Sequence, residues 1–200
     1  MSAFLAPIHF WMYDKIQLQE QLTQYFVKAA EEKGWSLGGH QADEFIVNDD
    51  RPLDELIDTD DIHGWLENRI GEAEGRYALL IQSLLDNNTD LLPQLEKLAR
   101  EFGAQRAVDA GSDGAQIYQA FNNAFLNGMP CDLAIKVVDK NPESYTWQQV
   151  QDSHGKFWTA VGGSPETYYT LRQAILEGMV EKTGYALKCV AGNTYTAEKA

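Results

Sequence analysis

Apolar side chains recur every three or four residues along most of this chain, which is the spacing of amphipathic α-helices. The first such segment begins at Pro7, a residue favoured in the first helical turn, and ends at Gly34. The most regular segment begins at Ile62, where Asp60 or Asp61 can cap the helix. Further helices are predicted over residues 52–58, 91–103, 113–128, 145–161 and 164–184.

Two later segments have the character of strands. "LAIKVVD" (133–139) is short and apolar, and "YALKCV" (185–190) could pair with it as a second strand. Residues 191–200 show no clear pattern and predict a flexible C-terminal tail. The predicted fold is therefore mainly all-α. It is a compact multi-helix bundle of five to seven helices, with at most one short two-stranded β-hairpin, in a single helical domain over residues 1–190.

The amino-acid composition excludes some classes of binding partner. Of the 200 residues, 44% are hydrophobic and 23% charged, as in ordinary globular proteins, and the net charge is −14. A strongly acidic chain without basic runs predicts no binding to nucleic acid or to anionic membranes. No apolar run reaches the ~20 residues that span a bilayer. With two cysteines and no basic segment before the first apolar residues, we expect a cytoplasmic protein with reduced thiols.

One nine-residue phrase occurs twice. "IHFWMYDKI" (8–16) returns as "IHGWLENRI" (62–70), each time in the first turns of a long predicted helix. In both copies Ile and Trp share a helix face and can pack inward, and the histidine follows Ile at the edge of that face. The repeat has two interpretations. Either two helix starts meet similar core walls, or His9 and His63 lie on neighbouring helices and converge on one ligand.

A divalent metal is one such ligand. Imidazole is a common metal-binding group, and Glu67 shares a helix face with His63 because it follows four residues later. His9, His63 and Glu67 are therefore candidate metal ligands. The sequence lacks His-Glu-x-x-His, Glu-x-x-His and Cys-x-x-Cys signatures, and the alternative is that backbone carbonyls satisfy both histidines.

His154 and Cys131 are candidate catalytic residues. His154 falls on the apolar stripe of the helix predicted over 145–161, so it should be buried. A buried imidazole needs hydrogen-bond partners and, when neutral, can act as a base or a ligand. Cys131 follows a predicted helix end, and with His154 as base and Asp132 or Asp152 as orienting group it could serve as a nucleophile. The alternatives are a structural histidine and an inert, buried thiol.

Three functions are compatible with these residues. The first hypothesis is a small-molecule or metal-binding helical protein, which could be an enzyme, with a site built from His9, His63 and His154. The second is a hydrolase that uses Cys131 and His154. The third is a non-catalytic interaction protein that forms a homo-oligomer, such as a homodimer, through exposed aromatic faces.

Overall fold

The fold is mainly helical and includes a four-stranded antiparallel sheet. A computed structural model describes residues 4–49, 51–129, 132–190 and 193–200. The helices in this part of the chain are α1 (Pro7–Lys33), α2 (Leu53–Leu56), α3 (Ile62–Asn87), α4 (Leu92–Ala104), α5 (Gly114–Ala124), α6 (Gly155–Ala160) and α7 (Pro165–Val180), with a 3₁₀ turn at Ala42–Phe45. The strands are β1 (Ile135–Asn141), β2 (Ser144–Gln149), β3 (Tyr185–Val190) and β4 (Thr194–Lys199).

The helix boundaries were predicted from capping residues, and the structure confirms three of these caps. α1 ends at Gly34, which adopts the left-handed conformation with φ of 65°. At the start of α3, the Asp61 carboxylate accepts a hydrogen bond from the Gly64 backbone N–H at 3.1 Å. At the start of α7, Ser164 Oγ accepts a hydrogen bond from the Glu166 backbone N–H.

α1 and α3 lie side by side and run parallel. The rings of His9 and His63 are 5.7 Å apart near the two N-termini, and the rings of Phe26 and Tyr77 are 6.0 Å apart further along. Both copies of the repeated phrase therefore lie at the same end of one helix pair. α2 covers that end, where a small apolar cluster forms from Met12, Tyr13, Ile16, Leu53, Ile57, Ile62, Leu66, Ala73 and Leu126.

The inward face of the repeat differs from the prediction. Ile62 is buried, but Ile8 is 43% exposed, and Trp11 and Trp65 are only partly buried. The residues that follow the tryptophans, Met12 and Leu66, are fully buried instead.

α4 and α7 pack at very short range through two glycines. A Cβ atom on Gly103 would lie 1.9 Å from the carbonyl oxygen of Ile175, and one on Gly178 would lie 2.1 Å from that of Arg100. Only hydrogen in place of a side chain permits this approach. Gly103 is the penultimate residue of α4, so the predicted helix end is one residue early.

The sheet is larger than the predicted hairpin. Its strand order is β1-β2-β4-β3, and every neighbouring pair is antiparallel. β3 pairs with β4 rather than with β1, so the predicted pairing of 185–190 with 133–139 is wrong. Thr194–Lys199 form the interior strand β4, whereas the sequence predicts a flexible tail over residues 191–200. Tyr195 and Ala197 point into the core and alternate with threonines, a short polar pattern that resembles a tail when it is considered alone.

The helix predicted over residues 145–161 is also wrong in its first half. Residues 144–149 form β2, in which Trp147 lies opposite Val137 on β1 and Tyr195 on β4. The helical interpretation needed Val150 on the buried face, yet Val150 is 50% exposed. Only the short α6 is helical in this region. In the described part of the chain, no helix is long and apolar enough to cross a membrane.

Candidate functional site

A buried carboxylate, that of Glu74, holds the imidazole of His154. Nδ1 of His154 lies 3.1 Å from each carboxylate oxygen of Glu74, and both side chains are 1% exposed. The two residues come from different elements, since Glu74 lies in the middle of α3 and His154 directly precedes α6. His154 is thus buried as predicted, although it stands at a helix start and not within a helical stripe.

The hydrogen bond determines which imidazole nitrogen is basic. An ionised carboxylate only accepts hydrogen bonds, so Nδ1 carries a hydrogen and donates it to Glu74. In the neutral imidazole the lone pair then lies on Nε2. Nε2 is buried and has no hydrogen-bond partner among the described residues. A buried acceptor without a partner costs free energy, and it is free to accept a proton or a hydrogen bond from a ligand.

Aromatic packing fixes the plane of the imidazole. The ring of Tyr168 on α7 stacks on that of His154 with 3.9 Å between centroids and 22° between planes. Burial, followed by the nearby Glu74 carboxylate, raises the pKa of Tyr168 well above its usual value, so this hydroxyl stays protonated. Tyr168 therefore adds no competing negative charge beside Glu74.

Asp152 fixes the backbone of His154. Its carboxylate accepts hydrogen bonds from the backbone N–H groups of His154 and Gly155, both at 3.0 Å, and from the Tyr169 hydroxyl at 2.6 Å. Burial by itself would raise the pKa of Asp152, but these hydrogen bonds outweigh burial and hold the pKa below its usual value. Asp152 therefore positions His154 through the main chain, whereas Glu74 orients the ring.

Glu74 and His154 line a cavity of about 420 Å³. Among the described residues, the lining carries four carboxylates, from Glu67, Glu74, Asp132 and Asp152, and one lysine, Lys156, with no arginine. Apolar side chains complete the wall: Ile70, Leu126, Met129 and Phe157. The cavity has the volume of a small-molecule site, and its charge is negative.

His9 and His63 line a second cavity, of about 410 Å³, at the paired N-termini of α1 and α3. The structure brings these two histidines together, as the repeat predicts. Nδ1 of His9 accepts a hydrogen bond from the Ala6 backbone N–H at 3.0 Å. In the neutral ring the hydrogen of His9 is then on Nε2, so no lone pair remains for a metal unless the bond to Ala6 breaks.

Glu67, the third predicted metal ligand, lines the first cavity and not the second. Among the described residues, no group of three or more His, Cys, Asp or Glu side chains is arranged to hold a metal ion.

Cys131, the predicted nucleophile, lies outside the described residues. Of its proposed orienting groups, Asp132 lines the cavity of His154, and the Asp152 carboxylate contacts the backbone N–H of His154. Neither is the partner of the imidazole. That partner is Glu74, which sequence reasoning missed although a signal exists: Glu74 follows Ile70 by four residues and precedes Tyr77 by three, so it falls on the inward stripe of α3.

A second buried polar group lies beside the cavity. Arg172 on α7 is 1% exposed and donates hydrogen bonds to Asn127 Oδ1, Gln149 Oε1 and the Tyr195 hydroxyl, at 3.2, 2.6 and 2.9 Å. These bonds connect α7 to the sheet and to the segment after α5. Arg172 does not line the cavity, but its partner Asn127 lies between Leu126 and Gly128, which do.

Comparisons with protein-family models, with curated proteins and with solved structures found no match for this chain. The function is therefore inferred from the cavity and its side chains.

Proposed function

We propose that this protein binds a small organic amine in the cavity of Glu74 and His154, and that Nε2 of His154 accepts a hydrogen bond or a proton from it. One observation carries the proposal: Nε2 is buried, without a partner, and belongs to an imidazole that lines a cavity of ligand size. A carboxylate that fixes the far nitrogen of an imidazole is also the arrangement used in general-base catalysis, so the site is suited to proton abstraction.

The class of ligand follows from the charge of the lining. Four carboxylates and one lysine attract a cation and repel an anion. An ammonium or amine N–H can donate to Nε2, whereas a carboxylate ligand would face like charges. Ile70 and Phe157 offer apolar contacts for the carbon skeleton.

Three isosteric probes test the charge preference: 2-phenylethylamine, 2-phenylethanol and phenylacetate. Ligand-observed NMR at pH 7 should detect binding of the amine, weaker binding of the alcohol and none of the carboxylate. Equal or tighter binding of phenylacetate would contradict the proposal.

Two matched variants test the role of His154. In His154→Asn the amide N–H can replace Nδ1–H as donor to Glu74, while Nε2 is removed. We expect amine affinity to fall about tenfold or more, since a hydrogen bond to a charged group is worth ~1.5–3 kcal/mol. Lys156→Ala removes the lysine of the described lining and should preserve or increase the affinity. Unchanged binding by a folded His154→Asn protein would show that Nε2 makes no contact with the ligand.

The hydrolase and metal hypotheses remain candidates with tests of their own. The thiol hypothesis is argued from the sequence, because Cys131 lies outside the described residues. Loss of a measured hydrolysis in Cys131→Ser, with amine binding retained, would support it. Stoichiometric zinc, nickel or manganese in elemental analysis of the purified protein, lost in His63→Ala, would support the metal hypothesis. A dimer that binds none of these ligands would favour the interaction protein.

A further inference from the structure

Lys15 is a buried lysine without an ionic partner. It lies in the second turn of the repeated phrase on α1 and is 2% exposed. Within the described part of the chain, no carboxylate lies within 4.0 Å of its ammonium nitrogen, whereas the exposed Lys28 on the same helix has Glu32 at 3.9 Å. The ammonium lies over an aromatic ring, since Nζ is 4.2 Å from the centroid of Trp11. Lysines are almost never buried unless they are paired, so this burial needs an explanation.

Lys15 lines a cavity of its own. This cavity has a volume of about 190 Å³ and lies between α1, α5 and the start of β1. Trp11 and Ile135 form apolar walls, and the amides of Asn122 and Asn127 supply polar groups. Of the described residues, its lining shares Gly128 and Met129 with the cavity of His154, and Lys15 does not border that other cavity.

We propose that Lys15 is a covalent binding site for a small aldehyde or ketone, which enters this cavity and forms an imine with Nζ. The neutral amine attacks the carbonyl carbon, a C–N bond forms, and a proton moves from nitrogen to oxygen to give a carbinolamine. The C–O bond then breaks, the oxygen leaves as water with the remaining N–H proton, and a C=N bond results. No oxidant or reductant takes part.

The protonation of Lys15 supports this chemistry. Burial lowers its pKa from 10.5 to about 8. At pH 7 about one tenth of such a lysine is neutral, against less than about one thousandth for an ordinary lysine. An ammonium cannot attack a carbonyl, so Lys15 has far more of the reactive form than exposed lysines.

Reductive trapping with propanal tests the site. The wild-type protein is incubated with propanal and sodium cyanoborohydride at pH 7, and the propylated lysines are quantified by peptide mapping. Lys28, on the same helix and with a 77% exposed side chain, is the internal reference. We expect Lys15 to be labelled at least tenfold faster than Lys28, with a ratio that falls as the pH rises towards 10. The map also separates the α-amino group, whose usual pKa is near 8.

Variants complete the test. Lys15→Met should remove the fast-labelled site, whereas Lys28→Met should leave it unchanged. If Lys15 is unlabelled, or labelled no faster than Lys28 at pH 7, the proposal is overturned. The assay measures modification of Lys15 itself. A negative result therefore does not bear on amine binding at His154, and a failure to detect amine binding does not bear on the labelling of Lys15.

Discussion

Glu74 and His154 are 80 residues apart in the sequence, yet both carboxylate oxygens lie 3.1 Å from one imidazole nitrogen in a place that water barely reaches. The Nδ1–H donor of His154 makes the burial of the Glu74 carboxylate tolerable, because a buried charge without a partner costs several kcal/mol. The pair also leaves the second imidazole nitrogen as a buried acceptor beside a cavity.

Loss of either partner should therefore be costly. His154→Leu leaves the Glu74 carboxylate buried and unpaired, and we expect the free energy of unfolding to fall by about 3–5 kcal/mol. The double variant Glu74→Leu with His154→Leu removes both polar groups and should be more stable than His154→Leu alone. Urea denaturation of the wild type, the two single variants and the double variant measures the coupling free energy between Glu74 and His154. Additive effects would mean that the pair contributes nothing beyond its separate side chains.

Asp152 should make stability depend on pH in the acid range. Its pKa is lower in the folded protein than the ordinary 3.8, so the folded state binds the proton more weakly than the unfolded state. The stability that Asp152 supplies is complete above the ordinary value and is lost as the pH falls through the lowered one. Asp152→Asn should lower the free energy of unfolding by ~1 kcal/mol at pH 7, as loss of a helix cap does, and by less at pH 3.

Urea denaturation between pH 3 and 7 measures this effect. Tyr169→Phe removes the 2.6 Å hydrogen bond to Asp152, together with the longer one that the hydroxyl accepts from Gln149 Nε2 at 3.3 Å, and should reproduce part of the effect. A wild-type minus Asp152→Asn difference that stays constant down to pH 3 would contradict the assigned role.

The contact between α4 and α7 should not tolerate a methyl group. Gly103→Ala and Gly178→Ala would each place Cβ within 2.1 Å of a backbone oxygen on the other helix. Backbone cannot move aside as a flexible side chain can, so we expect losses of at least ~1–3 kcal/mol from overpacking. Gly75→Ala is the matched control, because Gly75 lies inside α3 with no atom within 4 Å of the added Cβ. It should raise stability by ~0.5–1 kcal/mol through helix propensity. Thermal unfolding of the three variants, compared with the wild type, measures these changes in stability.

Lys15 should reduce stability at neutral pH. Because its folded pKa is about 8 against 10.5 in the unfolded chain, the unfolded state binds more protons between these values, and stability should rise with pH across that window. Lys15→Met removes this dependence. We expect the variant to be more stable than wild type by up to ~3 kcal/mol at pH 7, with a smaller difference at pH 10.5. Chemical denaturation at both pH values measures it, and a difference that is the same at both would refute the lowered pKa.

Sequence by itself determined the features that depend on nearby residues. The starts of α1, α3 and α7 and the end of α1 were predicted because a capping carboxylate or hydroxyl, a proline and a left-handed glycine act within one helical turn. The pairing of His9 with His63 follows from a repeated phrase at two helix starts. Burial of His154 was predicted as well, although from a helix that does not exist there.

Tertiary structure decided what depends on remote partners. β2 and β4 are strands because they pair with each other in the sheet. The sequence of β4 alone has too little apolar character to predict a strand. In the sequence Gly103 resembles a helix end, whereas the structure shows that its lack of a side chain lets α7 pack closely against α4. The stripe of α3 places Glu74 on the inward face, but its partner, His154, lies 80 residues away in the sequence and is identified only by the tertiary structure. The periodicity of apolar residues specifies which face of an element is buried, whereas tertiary packing determines which residues that face contacts.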